Sequence, residues 1–264
     1  AQWGMVRGTF VTELIMEIGY KFNPRGPVKP PEADWLTLPI FRFFRSRQRS
    51  GVSQDLVSKV KYLSDQGYKL HGHPLVDKRD TPRVDKVEDL RAHLIGMTDQ
   101  YRELISSWDV CNECSRWDMR RWGPDWQLKV FAMARDLFPN AQLWLNEYAV
   151  NSEPHWENVT CLTEKLSKEG LIDGVGIQCR ADITEKVPGV VDWGFSKLFE
   201  PLPAPKLESA IADIHGLGLA VHLSEVECIH RLGQENSATA IIKRYERVGR
   251  EQGVQRLTYW QLLK

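Results

Sequence analysis

The chain has 264 residues and balanced charge, with 35 Lys and Arg against 35 Asp and Glu. Because no net charge attracts an anionic partner, the composition argues against nucleic acid and against an anionic membrane surface. No run of about 18 or more apolar residues is present, so no segment is predicted to span a bilayer. The ten Trp residues offer flat faces with a polar edge that suit sugar rings, although most are expected in the core.

The first residues of the chain bear on secretion, and its cysteines bear on disulfide bonds and metal binding. The chain opens with AQWGMVRG, which lacks the basic and apolar stretches of a signal peptide, and a secreted chain whose signal has been removed would look the same. Five cysteines are too few and too dispersed for a disulfide framework, so at most one bridge is expected. Cys111 and Cys114 have C-x-x-C spacing, but no second pair accompanies them, and small apolar packing is favoured over zinc. No metal is therefore predicted.

The first 50 residues give the weakest structural signal. Two strands are expected there, at residues 5–18 and 39–45, with residues 20–23 as a competing position. Residues 24–39 are rich in proline and are predicted to form an irregular loop.

From residue 68 onward, strand-like and helix-like segments alternate in the rhythm of a parallel barrel. Strands are predicted at residues 68–76, 105–113, 142–148, 172–179, 219–227 and 256–261. Helices are predicted at residues 84–104, 125–138, 158–169, 206–215 and 237–252. With the two N-terminal strands the count reaches eight, which predicts an α/β fold, a single (β/α)8 TIM barrel. No repeat or low-complexity linker divides the chain, so residues 1–264 are expected to form one catalytic domain.

The carboxyl ends of two predicted strands carry acidic residues. The fourth strand reads WDVCNE over residues 108–113 and ends in Asn112 and Glu113, and the seventh ends in SEVE and supplies Glu225. Because (β/α)8 enzymes place their active sites at this end of the barrel, and strands four and seven face one another, the two carboxylates are expected to converge. Two carboxyl groups about 5 to 5.5 Å apart can carry out retaining glycoside hydrolysis, with one ionised and one protonated.

Seven segments occur in an order that resembles glycoside hydrolase family 10. They are GHPLV (72–76), LRAHL (90–94), YRELISSWDVCNE (101–113), FPNAQLWLNEY (138–148), IDGVGIQ (172–178), VHLSEVE (221–227) and LTYW (257–260). Each alone is a weak signal, whereas seven in order are specific. The family consists mostly of endo-β-1,4-xylanases, which are retaining enzymes on a (β/α)8 barrel. The resemblance therefore implies a hydrolase of internal β-1,4 linkages in a xylan-like plant polysaccharide.

Carried over by position, the resemblance makes Glu113 the general acid/base and Glu225 the nucleophile. Two carboxylates and water suffice for this chemistry, so no cofactor is implied. The implied partner is a polysaccharide or oligosaccharide rather than a nucleic acid or a membrane, and the protein is expected to be a secreted monomer.

The resemblance also implies contacts with the substrate. Asn112 matches the amide that hydrogen-bonds the 2-hydroxyl of the sugar at the cleavage point. His73 and Gln178 match further polar contacts there, and Trp260 matches an aromatic wall under the sugar.

The sequence departs from the family beside the expected nucleophile. Arg180 replaces a histidine, and Glu227 replaces a shorter acid two residues after Glu225. The two changes are expected to compensate as a hydrogen-bonded pair beside Glu225. A cation within about 4 to 6 Å lowers the pKa of a carboxyl group, so Arg180 is also expected to keep Glu225 ionised.

Further departures fall on the sugar-binding side. Asp77 and Lys78 replace a Trp and a His, which removes the usual stacking Trp. The Glu-Asn and Lys-Trp that follow the family's second strand have their nearest match in residues 32–35, EADW, which lacks both Asn and Lys. Such changes redirect specificity, and they leave open a barrel glycosidase acting on another β-glycan or a carbohydrate-binding barrel without turnover. The presence of both carboxylates argues against the second alternative.

Overall fold

The computed structural model describes residues 15–22, 32–39, 54–77, 85–100, 102–117, 122–148, 150–184 and 200–260. Within them the strands are β1 Glu17–Lys21, β2 Trp35–Pro39, β3 Lys69–His73, β4 Val76–Asp77, β5 Ser107–Asn112, β6 Gln142–Glu147, β7 Gly174–Asp182, β8 Ala220–Ile229 and β9 Arg256–Tyr259. The α-helices are α1 Gln54–Asp65, α2 Leu90–Thr98, α3 Trp126–Leu137, α4 Glu153–Lys168, α5 Ala204–Gly216 and α6 Glu235–Glu251. None of these helices is long and apolar enough to cross a membrane.

The strands form a closed parallel barrel. They pair in the order β3-β2-β1-β9-β8-β7-β6-β5, and β3 also pairs with β5, which closes the sheet. The two-residue β4 pairs with β5 as well, so β3 and β4 together occupy one of eight positions. Helices lie between successive strands from β5 onward, and the predicted (β/α)8 barrel is confirmed.

The two N-terminal strands were wrongly placed by the sequence pattern. β1 overlaps both the end of the first predicted strand, 5–18, and the start of the competing position, 20–23. β2 lies inside the segment predicted to be a loop, and meets the predicted second strand only at Pro39. Every residue of β2 is buried, so it lacks the alternation of a half-buried strand, and the surrounding prolines obscured it. Residues 5–14 and 40–45 lie outside the described residues.

The helix predicted at residues 84–104 is interrupted. The structure has a 3₁₀ turn at Val87–Asp89, then α2, then a second 3₁₀ turn at Arg102–Leu104. The Thr98 hydroxyl donates to the Leu94 carbonyl at 2.9 Å, and the helix ends at this residue. Short 3₁₀ turns are common at helix ends. The segment with one continuous helical pattern therefore forms an α-helix flanked by two 3₁₀ turns.

The interior at the amino end of the barrel holds a buried cation. Arg256 is fully buried, and its guanidinium carbon lies 3.6 Å from the ring centroid of Trp35. Its Nη2 donates to Gln142 Oε1 at 3.0 Å. Beside it Glu17 accepts a hydrogen bond from Trp35 Nε1 at 2.5 Å and forms an ion pair with Lys69. These charges therefore have partners, although burial still lowers the pKa of Arg256 to about 10.

The middle of the interior is a layer of buried histidines, and the Nε2 of His71 lies 3.0 Å from Asp109 Oδ2. His71 Nδ1 lies 2.8 Å from Ser107 Oγ, and His222 Nε2 lies 2.8 Å from Thr258 Oγ1. Burial lowers the pKa of both histidines below the usual value. Polar side chains of neighbouring strands therefore also lie in the core, between the amino end of the barrel and the carboxyl end, where the catalytic candidates lie.

Two tryptophans pack across glycines on neighbouring strands. The register places Gly72 opposite Trp108 and Gly174 opposite Trp144. A Cβ atom at either glycine would overlap the indole ring that lies against it. These glycines are therefore required because they have no side chain, rather than for an unusual backbone conformation.

Candidate active site

The two candidate catalytic carboxylates stand on unusual backbone. Glu113 follows β5 directly with φ 57°, and Glu225 lies within β8 with φ 50°. The Glu225 position coincides with a shift in the pairing of β8 with β9, between Leu223 and Val226. Residues other than glycine rarely adopt positive φ, and such strain concentrates at functional sites. Here it turns each carboxylate out of the strand's regular alternation.

Three amides join the two carboxylates at the barrel mouth. Gln178 Nε2 donates to Glu113 Oε1 at 3.1 Å and to Asn112 Oδ1 at 3.2 Å. Asn146 Nδ2 donates to Asn112 Oδ1 at 2.9 Å and to Glu225 Oε1 at 3.1 Å. The structure thus brings together four of the residues singled out in the sequence. Asn146, at the end of β6, completes the chain and was not among the predicted site residues.

His73 connects the mouth to a buried acid. Its Nδ1 lies 2.6 Å from Asp109 Oδ2, and its Nε2 lies 3.8 Å from Glu225 Oε1. Burial alone would lower the pKa of His73, but the hydrogen bond and charge of Asp109 outweigh it and raise the pKa. The imidazolium is therefore favoured beside Glu225. On another side His73 meets the ring of Trp260, with centroids 5.1 Å apart.

Arg180 and Glu227 pair beside Glu225, as the sequence predicts for these two replacements. Arg180 Nε contacts Glu227 Oε1, and its Nη1 lies 3.7 Å from Glu225 Oε2. Burial nevertheless raises the pKa of Glu225 to about 7, while the charges of His73 and Arg180 oppose that rise and the charge of Glu113 adds to it. Arg180 thus favours the ionised form of Glu225 but does not outweigh burial.

A buried acid holds the turn that carries Glu113. Glu147, fully buried at the end of β6, accepts a hydrogen bond from Ser115 N at 2.7 Å, and its other oxygen lies 3.6 Å from His155 Nε2. The neighbouring carbonyl of Asn146 accepts from Glu113 N at 2.8 Å. The end of β6 therefore fixes the left-handed conformation of Glu113.

Two charged residues at the mouth were not among the predicted site residues, although Asp77 was expected on the sugar-binding side. Lys21, at the end of β1, places its Nζ 4.0 Å from the ring centroid of Trp260. Asp77, at the end of β4, accepts a hydrogen bond from Asn112 Nδ2 at 3.4 Å. A correct position for β1 would have pointed to Lys21, because polar residues at strand ends are the signal that located Glu113.

The segment at residues 32–35, matched to a sugar-binding motif, lies elsewhere. Trp35 begins β2 and therefore lies at the amino end of the barrel, stacked on Arg256. Asp34 Oδ2 accepts from Ile18 N at 2.9 Å. The match is wrong because the motif would have to follow the second strand, whereas these residues precede or begin it. The segment stabilises the barrel base, away from Glu113.

The cysteines form no bridge. All five are free, and Cys111 and Cys114 are fully buried. Burial raises the pKa of the Cys114 thiol well above the usual value, so the thiolate is disfavoured. Across the described ranges no group of three or more His, Cys, Asp or Glu side chains is arranged to hold a metal ion.

A (β/α)8 barrel with two carboxylates, one of them buried, and several amides at its mouth is typical of glycoside hydrolases. The family model for glycosyl hydrolase family 10 matches residues 54–263, and the chain belongs to this family.

Known proteins of this family share the fold and part of the sequence. The chain is 24% identical over 234 residues to endo-1,4-beta-xylanase A of Thermotoga neapolitana, covering 77% of this chain and 21% of that protein. It is 29% identical over 198 residues to endo-1,4-beta-xylanase A of Caldicellulosiruptor saccharolyticus, covering 65% and 53%. The crystal structure of an endo-1,4-beta-xylanase from Caldicellulosiruptor owensensis superposes with a TM-score of 0.73 at 23% identity, covering 93% of this chain and 84% of that chain. The chain thus spans about a fifth to half of these two curated relatives.

Proposed function

We propose that this protein is a retaining endo-β-1,4-glycan hydrolase acting on xylan or a closely related plant polysaccharide. The observation that carries the proposal is the amide chain that links Glu113 to Glu225 at the barrel mouth. The xylanases named among the family relatives support the choice of substrate.

In the proposed reaction Glu113 first acts as the acid and Glu225 as the nucleophile. The Glu225 carboxylate attacks the anomeric carbon while Glu113 protonates the departing glycosidic oxygen, so the C–O bond breaks and a glycosyl ester forms on Glu225. Glu113, now ionised, takes a proton from water as that water attacks the same carbon. The second displacement releases the sugar with its original configuration and restores both carboxyl groups.

Two cations beside Glu225 support its role as the nucleophile, and they act against the effect of burial. Burial favours the protonated form of this carboxyl, with a pKa of about 7. His73 and Arg180 lie 3.8 and 3.7 Å from its two oxygens and favour the anion. Positive charge that develops on the sugar in the transition state favours it further, because opposite charges stabilise each other strongly at a site shielded from water.

The substrate contacts follow from the same arrangement. We propose that Asn112, Gln178 and His73 hydrogen-bond the sugar at the cleavage point and that Trp260 forms an apolar wall beside it. Lys21 lies over the Trp260 ring, so the sugar packs on indole surface that Lys21 leaves uncovered. We further propose that residues 1–264 act as one catalytic domain, as a monomer, on polymer outside the cell.

The stereochemistry of the first product tests the mechanism. Hydrolysis of β-1,4-xylooligosaccharides followed by ¹H NMR should show the β-anomer first, with the α-anomer appearing only through later mutarotation. Initial α-anomer would establish inversion and would remove the nucleophile assignment of Glu225.

A panel of substrates tests the remaining part of the proposal. Xylan, mixed-linkage glucan, mannan and cellulose should be supplied in parallel, and the release of reducing ends should be highest on xylan. Faster hydrolysis of another β-glycan would support the alternative glycosidase, and binding without cleavage of any polymer would support a carbohydrate-binding barrel.

A further inference from the structure

The turn that follows the proposed acid/base residue lacks its usual cap. Glu113 stands at the N-cap position of a short 3₁₀ turn, Cys114–Arg116. The first backbone N–H groups of such a turn have no partner within it, and a polar N-cap side chain commonly accepts one of them. In the described part of the chain the Glu113 side chain accepts none of them, and its Oε1 is instead engaged by Gln178 Nε2 at 3.1 Å. The turn therefore needs an acceptor from elsewhere.

Glu147, at the end of β6, supplies this acceptor. Its Oε1 accepts a hydrogen bond from Ser115 N at 2.7 Å. Ser115 is the second residue of the turn, which is a position to which an N-cap side chain usually bonds. Glu147 is 0% exposed, so water does not compete for this bond. An oxygen from a neighbouring strand thus takes the place of the Glu113 carboxyl group, which stays available to the barrel mouth.

A histidine and a backbone carbonyl complete the support. His155, in the first turn of α4, is 5% exposed, and its Nε2 lies 3.6 Å from Glu147 Oε2 and 3.4 Å from Ser115 Oγ. The Glu113 N–H donates to the Asn146 carbonyl at 2.8 Å. Two consecutive residues of β6 therefore hold the main chain at Glu113 and again two residues later.

We propose that Glu147 is a positioning residue for the acid/base Glu113. By occupying the capping position it keeps the Glu113 carboxyl group beside the glycosidic oxygen instead of on the N–H of Ser115. Without this acceptor the Glu113 carboxyl group would leave Gln178 and cap its own turn. This inference rests on the proposed glycan hydrolase function and adds the residue on which proton transfer to the leaving group depends.

The test compares two substrates that form the same glycosyl ester, xylotetraose cleaved at its central linkage and 2,4-dinitrophenyl β-xylobioside. The sugar leaving group needs a proton, whereas dinitrophenolate departs without one. Glu147→Met keeps the length of the side chain and removes the acceptor. We expect its kcat/KM for xylotetraose to fall by at least about tenfold, as part of the roughly 10²–10⁴-fold that a positioned acid contributes. Its kcat/KM for the dinitrophenyl substrate should stay within about threefold of wild type, because steps up to the ester need no acid.

Glu147→Gln is the matched comparison. Its amide oxygen still accepts from Ser115 N, so this variant should recover most of the loss on xylotetraose. Equal losses on both substrates in Glu147→Met would indicate a purely structural role and would overturn the proposal. If Glu147→Met does not fold, Glu147→Leu, which also lacks an acceptor, is measured in its place with the same expectations.

A crystal structure of Glu147→Met separates this inference from the hydrolase function. If the wild-type protein cleaves neither substrate, that function fails, and the position of the Glu113 carboxyl group decides on Glu147. A carboxyl group that accepts from Ser115 N supports the proposal, and one that still accepts from Gln178 overturns it.

Discussion

The two ends of this barrel surround a buried charge in different ways. At the amino end Arg256 stacks on Trp35, donates to Gln142 and carries its charge among fixed partners. At the mouth Glu225 sits on strained backbone, and burial raises its pKa to about 7. Burial disfavours the charge at both ends, since it also lowers the pKa of Arg256 to about 10. The amino end surrounds its charge with partners, whereas the mouth keeps Glu225 where chemistry can use it. Active sites commonly sacrifice stability in this way.

Changing Glu225 to Gln should have the largest effect and should separate activity from stability. We expect kcat to fall by at least about 10⁴-fold, because the proposed nucleophile is lost. The free energy of unfolding should instead increase. The native carboxyl has a pKa raised from its ordinary 4.5 to about 7, so the wild type loses stability as pH rises through this range. The variant should therefore gain on the order of 2–3 kcal/mol at pH 8 relative to wild type, and nothing below pH about 4.

Urea unfolding at pH 4, 6 and 8 measures that difference. The matched control is Glu164→Gln on the outer face of α4, where the exposed carboxylate pairs with Lys168. The control should keep full activity and should show no comparable pH-dependent gain. A Glu225→Gln protein less stable than wild type at pH 8 would contradict the view that burying the ionised Glu225 carboxylate costs stability.

Replacing Arg256 with Ala tests the other end. The substitution removes the stacking partner of Trp35 and leaves Gln142 without its donor, so we expect the free energy of unfolding to fall by about 3 kcal/mol. Activity per folded molecule should stay within about threefold of wild type, since the residue lies at the far end from the carboxylates. Chemical denaturation combined with active-site titration gives both quantities.

Arg256→Met provides the comparison for volume. Because Met fills most of the space and needs no hydrogen-bond partner, it should lose less stability than Ala. An Arg256→Met protein that folds well but has lost its activity would show that the two ends are coupled rather than independent.

Arg180→Ala should give the smallest effect, a shift in pH dependence. Burial holds the pKa of Glu225 at about 7, and the charge of Arg180 opposes that rise. Without the guanidinium the pKa should rise further, so the acidic limb of kcat/KM moves to higher pH by about 0.5 to 1 unit. Arg180→Lys retains the positive charge and should move it less. An unmoved limb in Arg180→Ala would exclude Arg180 from the ionisation of Glu225.

The sequence predicted the fold best where strands are apolar runs that end in polar residues. The strands from β5 to β9 were located because mostly apolar segments, such as the one that carries Trp108, Val110 and Cys111, stop at polar residues. β2 could not be found this way, because prolines precede it, Pro39 ends it, and no polar pair follows it in the sequence. Because the second strand was predicted too late in the chain, residues 32–35 were matched to a motif of the barrel mouth, whereas they lie at the amino end.

The sequence could predict which residues lie in the candidate site, but not the hydrogen bonds between them. Glu113 and Glu225 could be singled out because each ends or follows an apolar run. The role of Asn146 depends on closure of the barrel, which brings its amide to Glu225 from 79 positions away in the chain. The raised pKa of Glu225 likewise arises from burial, which no local pattern reports.

The pairing of Gly72 with Trp108 and of Gly174 with Trp144 limits how this barrel can be redesigned. A random library that varies one member of a pair at a time will record both positions as intolerant, since any side chain at the glycine meets the ring and a smaller residue at the tryptophan leaves a void. Varying the two members together would open combinations in which a medium-sized residue on each strand fills the shared volume. The same logic predicts that descendants of this chain change these positions jointly or not at all.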